Sequence, residues 1–197
     1  LSNKLNDISN SNKQIFDRVC DALNISLSRS SSFRGIIRQL TEQYGGNVAD
    51  KGVVNVTSSS QLGNNAPKNA VDLDNNQNYF FSNNEQNAWL KYDFKYNKVR
   101  PAYYMIRSTN YGKGSNHPMS WVIEGSNSDS SNDWTVLDTR NNITSLDDCN
   151  ACQLFSIQKI NDFYRYLRIR QTGKNSYNIG SWYYLQIGAL EYFGSIQ

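Results

Sequence analysis

From Val53 onward, short runs of apolar and aromatic residues follow one another, separated by segments rich in Asn, Gly and Ser and without helical periodicity between them. In the run from Tyr166 to Arg170, the apolar Leu167 and Ile169 alternate with charged residues. Alternation of this kind buries one face of a strand and exposes the other. The segment after this run, 172–175, breaks the alternation and predicts a loop.

The remaining runs give the same prediction, and the 13 Tyr, 8 Phe and 4 Trp residues favour a β-rich core. Eight strands without intervening helices indicate a mainly β fold, an eight-stranded antiparallel jelly-roll β-sandwich. The predicted strands are Val53–Ser59, Ala88–Phe94, Tyr103–Ser108, Ser120–Asn127, Trp134–Asp138, Gln153–Ile157, Tyr164–Gln171 and Leu185–Phe193.

Two short N-terminal α-helices are predicted before the strands. The first follows a capping-box pattern at Ser11 and Gln14, and the second runs from Ser32 to Tyr44 before the glycines at 45 and 46. The apolar stripe of the second helix comprises Phe33, Ile36, Ile37, Leu40 and Tyr44. Because two short helices cannot bury both stripes against each other, one must dock on its own domain or on a partner, and we favour its own domain. The expected division is a helical segment at 1–45 and a β-sandwich domain at 46–197.

Composition argues against several functions. A net charge of +3 is far below the basic density of a nucleic-acid-binding protein, and no apolar run reaches the roughly 20 residues of a membrane helix. The single His has no Ser or Cys nucleophile motif beside it, and no Gly-rich phosphate loop is present. We therefore expect a non-enzyme with no nucleic-acid partner and no membrane insertion.

The cysteines and sequons leave alternatives open. Cys149 and Cys152 form a C-x-x-C pair that we interpret as loop thiols, with a disulfide or an intermolecular metal site as alternatives. Asn-x-Ser/Thr sequons occur at Asn24, Asn55 and Asn142. In so Asn-rich a chain they are weak evidence for secretion.

Five pieces of the sequence, in this order, resemble the discoidin family, also called the F5/8 type C or galactose-binding-like domain. They lie at 70–75, 89–94, 120–134, 166–169 and 189–194, and the resemblance spans roughly Gly45 to Gly194. A narrower resemblance pairs 117–127 with 168–175. It is to the intracellular discoidin variant of protists, some of which carry BTB/BACK-type helices upstream.

The resemblance implies a ligand site where loops converge at one end of the sandwich. Arg107 is at the position where galactose-binding members place an arginine, whereas no His precedes His117 to match the one that those members carry in an earlier loop. For His117 and for Arg170, structural roles and ligand contact are both open. The candidate ligand-binding residues are Arg107, Asn110, Tyr111, His117, Arg170, Lys174, Asn175, Tyr177 and Trp182.

A calcium ion is common in this fold, and the resemblance places Asp72 and Glu191 at its carboxylate ligands. Leu73 replaces the glycine of the turn. No cofactor is required by the sequence, and Ca²⁺ is the one candidate.

Two functions compete at this stage. The first is a non-catalytic adaptor in a cytoplasmic assembly, cytoskeletal or ciliary in setting, which binds protein partners through the loop end of the sandwich. The alternative is a carbohydrate-binding module at the cell surface, with a glycan of the galactose type as its partner.

Overall fold

The computed structural model describes residues 33–130, 133–160, 162–177 and 182–197. The predicted helix at 11–23, with Cys20 and the sequon at Asn24, lies outside these residues. The chain divides into two compact units, Leu1–Phe33 and Arg34–Gln197. The second unit contains every element described below.

Among its described residues, this unit contains one α-helix and ten strands, with the short 3-10 helix Pro67–Val71 between β1 and β2. The elements, in chain order, are α1 (Ile36–Tyr44), β1 (Asn55–Ser58), β2 (Phe80–Phe81), β3 (Trp89–Asp93), β4 (Val99–Arg107), β5 (Trp121–Ser126), β6 (Thr135–Arg140), β7 (Cys152–Ser156), β8 (Tyr166–Gln171), β9 (Gln186–Ile187) and β10 (Ala189–Ile196).

The strands form the mainly β, antiparallel sandwich that the alternation predicts. A five-stranded sheet has the order β1-β3-β8-β5-β6, and a three-stranded sheet has the order β10-β4-β7. A small β2-β9 pair completes the fold. The side chains of Leu90, Ile123 and Ile169 are fully buried in the core, as strand alternation requires.

Two details of the strand prediction are wrong. Phe80–Phe81 forms a short strand that the sequence pattern does not indicate, because it pairs with β9 far along the chain. The predicted final strand divides into β9 and β10 at Gly188. A Cβ atom on Gly188 would lie 2.3 Å from the Ser108 carbonyl oxygen, so only glycine allows the backbone at position 188 to approach Ser108 this closely.

Helix α1 is shorter than predicted and packs on β10 of its own unit. It begins at Ile36 after the N-cap residue Gly35. It ends at Tyr44, before the C-cap residue Gly45, whose φ of 67° is left-handed. Ile36, Ile37 and Leu40 are buried as expected. The prediction is wrong for Tyr44, which is 47% exposed.

No helix in the described part of the chain has the length and apolar character needed to cross a membrane.

Candidate functional site

Strand registers bring five loops to one end of the sandwich, which we call the loop end. Trp89, the first residue of β3, pairs with Arg170 near the end of β8, and Trp121, the first of β5, pairs with Arg140, the last of β6. Because β4 and β1 also finish here, the loops at 59–79, 82–88, 108–120 and 141–151 converge with the described parts, 172–177 and 182–185, of the loop after β8. The β3–β4 turn, which carries Tyr96, lies at the opposite end.

Six aromatic side chains from these loops and from β2 form a continuous row, which we call the aromatic ridge. In spatial order its members are Tyr111, Tyr79, Phe81, Tyr184, Trp182 and Tyr177. Successive ring centroids lie 5.7, 6.2, 5.0, 5.6 and 6.3 Å apart. These are distances at which aromatic rings pack edge-to-face or offset.

The two ends of the ridge are its most accessible parts. Tyr111 is 47% exposed and Tyr177 is 39% exposed, whereas the four rings between them are half-buried. At the Tyr111 end, the Tyr79 and Tyr111 hydroxyls are 3.1 Å apart. Burial and this hydrogen bond raise the pKa of Tyr79 to about 12, so the Tyr79 hydroxyl is neutral at physiological pH. Nearby, Asn110 Nδ2 donates to Gln77 Oε1 at 2.9 Å, which places a polar amide pair in the same two loops.

Two asparagines position the other half of the ridge. Asn175 is buried, donates to Asn116 Oδ1 and to the Tyr184 carbonyl, and accepts from the Tyr177 backbone N–H. Asn84 accepts a hydrogen bond from the Tyr183 backbone N–H at 2.8 Å. Asn175, predicted as a ligand contact, therefore holds the backbone on which Tyr177 and Tyr184 stand.

His117 is fully buried and joins three loops. Its Nε2 lies 3.3 Å from Thr109 Oγ1 and its Nδ1 lies 3.3 Å from Asp147 Oδ1. Its backbone N–H donates to Ser176 Oγ at 3.1 Å. Burial lowers the pKa of His117 despite the nearby Asp147 carboxylate, so the ring is neutral near pH 7. Of the two roles that the sequence left open, these contacts match the structural one.

Arg107 is also buried, with 8% of its surface exposed. Its Nη1 donates to the Leu73 carbonyl at 2.9 Å and its Nη2 donates to the Asn75 carbonyl at 2.7 Å. Desolvation lowers its pKa, which the carboxylates of Asp72 and Asp74 partly offset. The guanidinium that the resemblance suggests as a sugar ligand is thus engaged with the backbone of the 72–75 loop.

Arg170 is separated from the ridge because its side chain lies on the outer face of the five-stranded sheet. Both it and Arg168 donate to the Glu124 carboxylate, and Arg170 Nη1 also donates to Asn87 Oδ1. Burial opposes ionisation of Glu124, but the two arginines outweigh it and lower its pKa. Arg168 also lies 3.9 Å from the Trp134 ring centroid. The cross-strand pairing with Glu124 is therefore the structural alternative for Arg170, while Lys174 is exposed on the 172–175 loop.

The surroundings of Glu191, one of the two predicted calcium ligands, do not fit an ion. Glu191 is fully buried, and its two carboxylate oxygens accept the Ile37 and Arg38 backbone N–H groups at 2.8 and 2.9 Å. Burial raises the pKa of Glu191 to about 7, against the effect of these donors. Beside Asp72, the backbone carbonyls of Leu73 and Asn75 already accept hydrogen bonds from the Arg107 guanidinium. A cation placed among them would meet a resident positive charge.

The remaining titratable residues do not form an evident metal site. Within the described ranges, no three or more His, Cys, Asp and Glu side chains cluster as metal ligands. Cys149 and Cys152 are exposed free thiols; Cys149 lies in the 141–151 loop, whereas Cys152, predicted in a loop, is the first residue of β7.

Sequence reasoning missed half of the ridge. Tyr79, Phe81 and Tyr184 were not among the candidate ligand-binding residues, although each stands in a run of aromatic residues within or beside a loop. Aromatic pairs in such segments are the signal that would have found them. Among the nine candidates, the structure brings Tyr111, Tyr177 and Trp182 into the ridge.

Comparison with solved structures identifies the fold. The sandwich is similar to CBM32-3, a carbohydrate-binding module from a family 31 glycoside hydrolase of Clostridium perfringens, with a TM-score of 0.58, 14% identity, and coverage of 73% of this chain and 92% of that one. The family 32 module of C. perfringens NanJ, solved with galactose, gives a TM-score of 0.53 at 10% identity and covers 74% and 95%. The lectin domain of lectinolysin, solved with Lewis B antigen, gives 0.55 at 16% identity and covers 72% and 92%.

No protein-family model matches the sequence, and the search of curated proteins found no match. At these identities the similarity shows the discoidin-like jelly-roll fold alone. The narrower resemblance to the intracellular protist variant stays a prediction.

Proposed function

We propose that this protein is a non-catalytic carbohydrate-binding module that holds its glycan on the aromatic ridge. The observation that carries the proposal is the continuous row of six rings at the loop end, accessible at both extremities. A pyranose ring has an apolar C–H face that packs on aromatic surfaces, and its hydroxyls need donors and acceptors nearby. The structural neighbours, solved with galactose and with Lewis B antigen, bind carbohydrates on the same fold and support the proposal.

The surroundings of the ridge favour a neutral glycan over an acidic one. Recognition of carboxylate or phosphate generally relies on arginine forks, and the nearby Arg107 is buried in hydrogen bonds to backbone carbonyls. Amide side chains such as Asn110 and Gln77 both donate and accept, as sugar hydroxyls do. The accessible rings Tyr111 and Tyr177 stand at opposite ends of the row. A ligand that contacts both is an oligosaccharide and not a single sugar.

The adaptor function has less support. It rested in part on an apolar helix face that needed a docking surface, and the face of α1 formed by Ile36, Ile37 and Leu40 is buried in its own unit. The sequons that the structure describes, at Asn55 and Asn142, are both exposed. Occupied sequons in the native protein would favour the cell-surface location over the cytoplasmic one.

A glycan array tests the proposal directly. We expect the full chain to bind neutral oligosaccharides, and we expect Tyr111→Ala and Tyr177→Ala each to weaken the affinity for the best glycan about 5- to 100-fold, because each removes a stacking ring worth roughly 1–3 kcal/mol.

The matched control is Tyr96→Ala. Tyr96 is 99% exposed in the β3–β4 turn, at the end of the sandwich away from the ridge, so its loss should leave binding unchanged. Absence of binding to every printed glycan, or equal losses in all three variants, would contradict the proposal. In that case, capture of a defined protein partner would favour the adaptor.

A further inference from the structure

The 72–75 loop lies directly before the segment that carries Gln77 and Tyr79, so whatever fixes this loop also fixes the Tyr111 end of the aromatic ridge. Two of its backbone carbonyls, on Leu73 and Asn75, point at the same group, the guanidinium of Arg107. These two bonds, at 2.9 and 2.7 Å, are charge-assisted and lie in a largely buried site, where such bonds are at their strongest.

The carboxylate of Glu191 is a second group that is bound by the chain itself. Helix α1 places its N-terminal N–H groups on the buried Glu191 carboxylate, and the partial positive charge of a helix N-terminus suits a carboxylate there. Gly35 permits this approach, because a Cβ at that position would lie 2.7 Å from Glu191 Cδ. The same helix extends Arg38 to Asp74, with a pair of bonds at 2.8 and 2.6 Å. Two carboxylates of this region, those of Glu191 and Asp74, are thus matched by positively polarised or charged groups of the chain itself.

We propose that Arg107 and the N-terminus of α1 together take the place of a bound metal ion in this protein: they bind the loop carbonyls and the Glu191 carboxylate, so that the loop end is ordered without Ca²⁺. Arg107 is a positioning residue: it acts on a glycan only through the loop that it holds. The proposal does not depend on what binds at the ridge.

The test is thermal unfolding of the full chain with added CaCl₂ and with EDTA, together with calorimetric titration of Ca²⁺ into EDTA-treated protein. We expect the Tm of the wild type to be the same in both conditions and the titration to show no binding. A wild-type Tm that rises with CaCl₂ or falls with EDTA would overturn the proposal.

Variants test the role of Arg107 itself. We expect Arg107→Gln to lower the Tm by roughly 5–15 °C, because it leaves buried carbonyls without a charged donor. We also expect CaCl₂ to restore part of this loss, since the loop then lacks its resident cation. The control Arg100→Gln removes a cation from an exposed position on β4 and should change the Tm little.

If Arg107→Gln is too unstable to purify, Arg107→Lys keeps the charge while removing the fork, and hydrogen exchange of residues 72–79 is then the measurement. Faster exchange confined to that loop supports the proposal. Unchanged exchange in Arg107→Lys, or an Arg107→Gln variant that is destabilised but does not respond to CaCl₂, would show that the guanidinium does not stand in for an ion.

Discussion

Individual polar side chains decide how the loop end is held together, and their roles follow from burial. His117, Asn175 and Arg107 are each polar, each nearly or fully buried, and each bonded to groups from another loop. A buried polar group that loses its partners destabilises a protein by about 1–3 kcal/mol, so such residues have a structural role in linking one loop to another. In the sequence, these polar residues in loops or at the end of a strand resemble ligand contacts.

The environment of His117 gives a pH dependence with a definite sign. Its pKa is lowered in the folded protein by burial, so the unfolded chain binds the proton more readily. The stability associated with the neutral ring is therefore present above the unfolded pKa of about 6.5 and is lost as the pH falls through the lower folded pKa. The nearby carboxylates of Asp147 and Asp148 reduce this effect without reversing it.

We expect His117→Asn to flatten the fall in Tm between pH 7 and pH 5 relative to the wild type. The measurement is thermal unfolding across that range, in which the slope and not the absolute Tm is compared. Parallel slopes for the two proteins would show that His117 does not titrate in this window. Glu191, whose pKa is raised to about 7, titrates in the same window, but it does so in both proteins and therefore does not affect the comparison. Glu124, whose pKa is lowered, should contribute only below its ordinary value near pH 4.5 in both proteins.

At the scale of the elements, α1 shows that a helix can be predicted from local sequence while its first residue depends on a partner far along the chain. Its apolar spacing and terminal glycine were visible in the sequence, but its start was not, because no side chain of its own caps it. Glu191, on the last strand, supplies the acceptor for its first N–H groups. A cap delivered from the far end of the chain leaves no capping-box signature.

The packing of α1 on β10 can be tested at Gly35. We expect Gly35→Ala to lower the free energy of unfolding by about 1–3 kcal/mol, because its Cβ would lie 2.2 Å from the Tyr192 carbonyl oxygen and force the helix away from the strand. Denaturant unfolding followed by tryptophan fluorescence measures this change.

Gly112→Ala is the matched control for that experiment. A Cβ at Gly112 meets nothing within 4 Å, so the same chemical change should alter stability by no more than about 0.5 kcal/mol. Similar losses in the two variants would mean that the effect arises from glycine replacement in general and not from the contact with β10.

At the scale of the whole molecule, the sandwich brings loops that are distant in sequence to one end, while its core is predominantly apolar and aromatic. Trp121, Tyr104 and Tyr92 are fully buried between the sheets, and their polar atoms bond inside the core. The ridge, by contrast, uses aromatic residues from four separate segments. A rigid core with accessible rings on converging loops is a suitable scaffold for a pre-formed binding surface.

The lack of formal charge on the ridge predicts how binding responds to salt. If a neutral glycan binds on Tyr and Trp rings, its affinity should be nearly the same at low and at high NaCl concentration, because charge screening acts only on charged partners. Isothermal titration of the best array glycan at several ionic strengths measures this. An affinity that falls steeply with salt would instead indicate an anionic ligand held by exposed lysines such as Lys113 and Lys174.

Patterns within the sequence are sufficient to predict the class of fold, most of the strands and the face of α1 that is buried. These depend on alternation, helical spacing and terminal glycines, all of which act between residues close in the chain. Leu167 and Ile169 lie on the buried face of the sheet as their spacing requires, and Arg168 and Arg170 lie on its outer face.

The structural roles of the polar residues and the accessibility of the aromatic residues, by contrast, depend on how the loops meet in the folded protein. Arg107 turns toward Leu73 and Asn75, and Tyr79 meets Tyr111, because antiparallel registers bring their loops to one end. Burial and side-chain direction in loops depend on such long-range contacts, for which a single sequence has no periodic signal. The loop that follows β8 thus stays near the proposed site through Tyr177, while the arginines that precede it belong to the sheet.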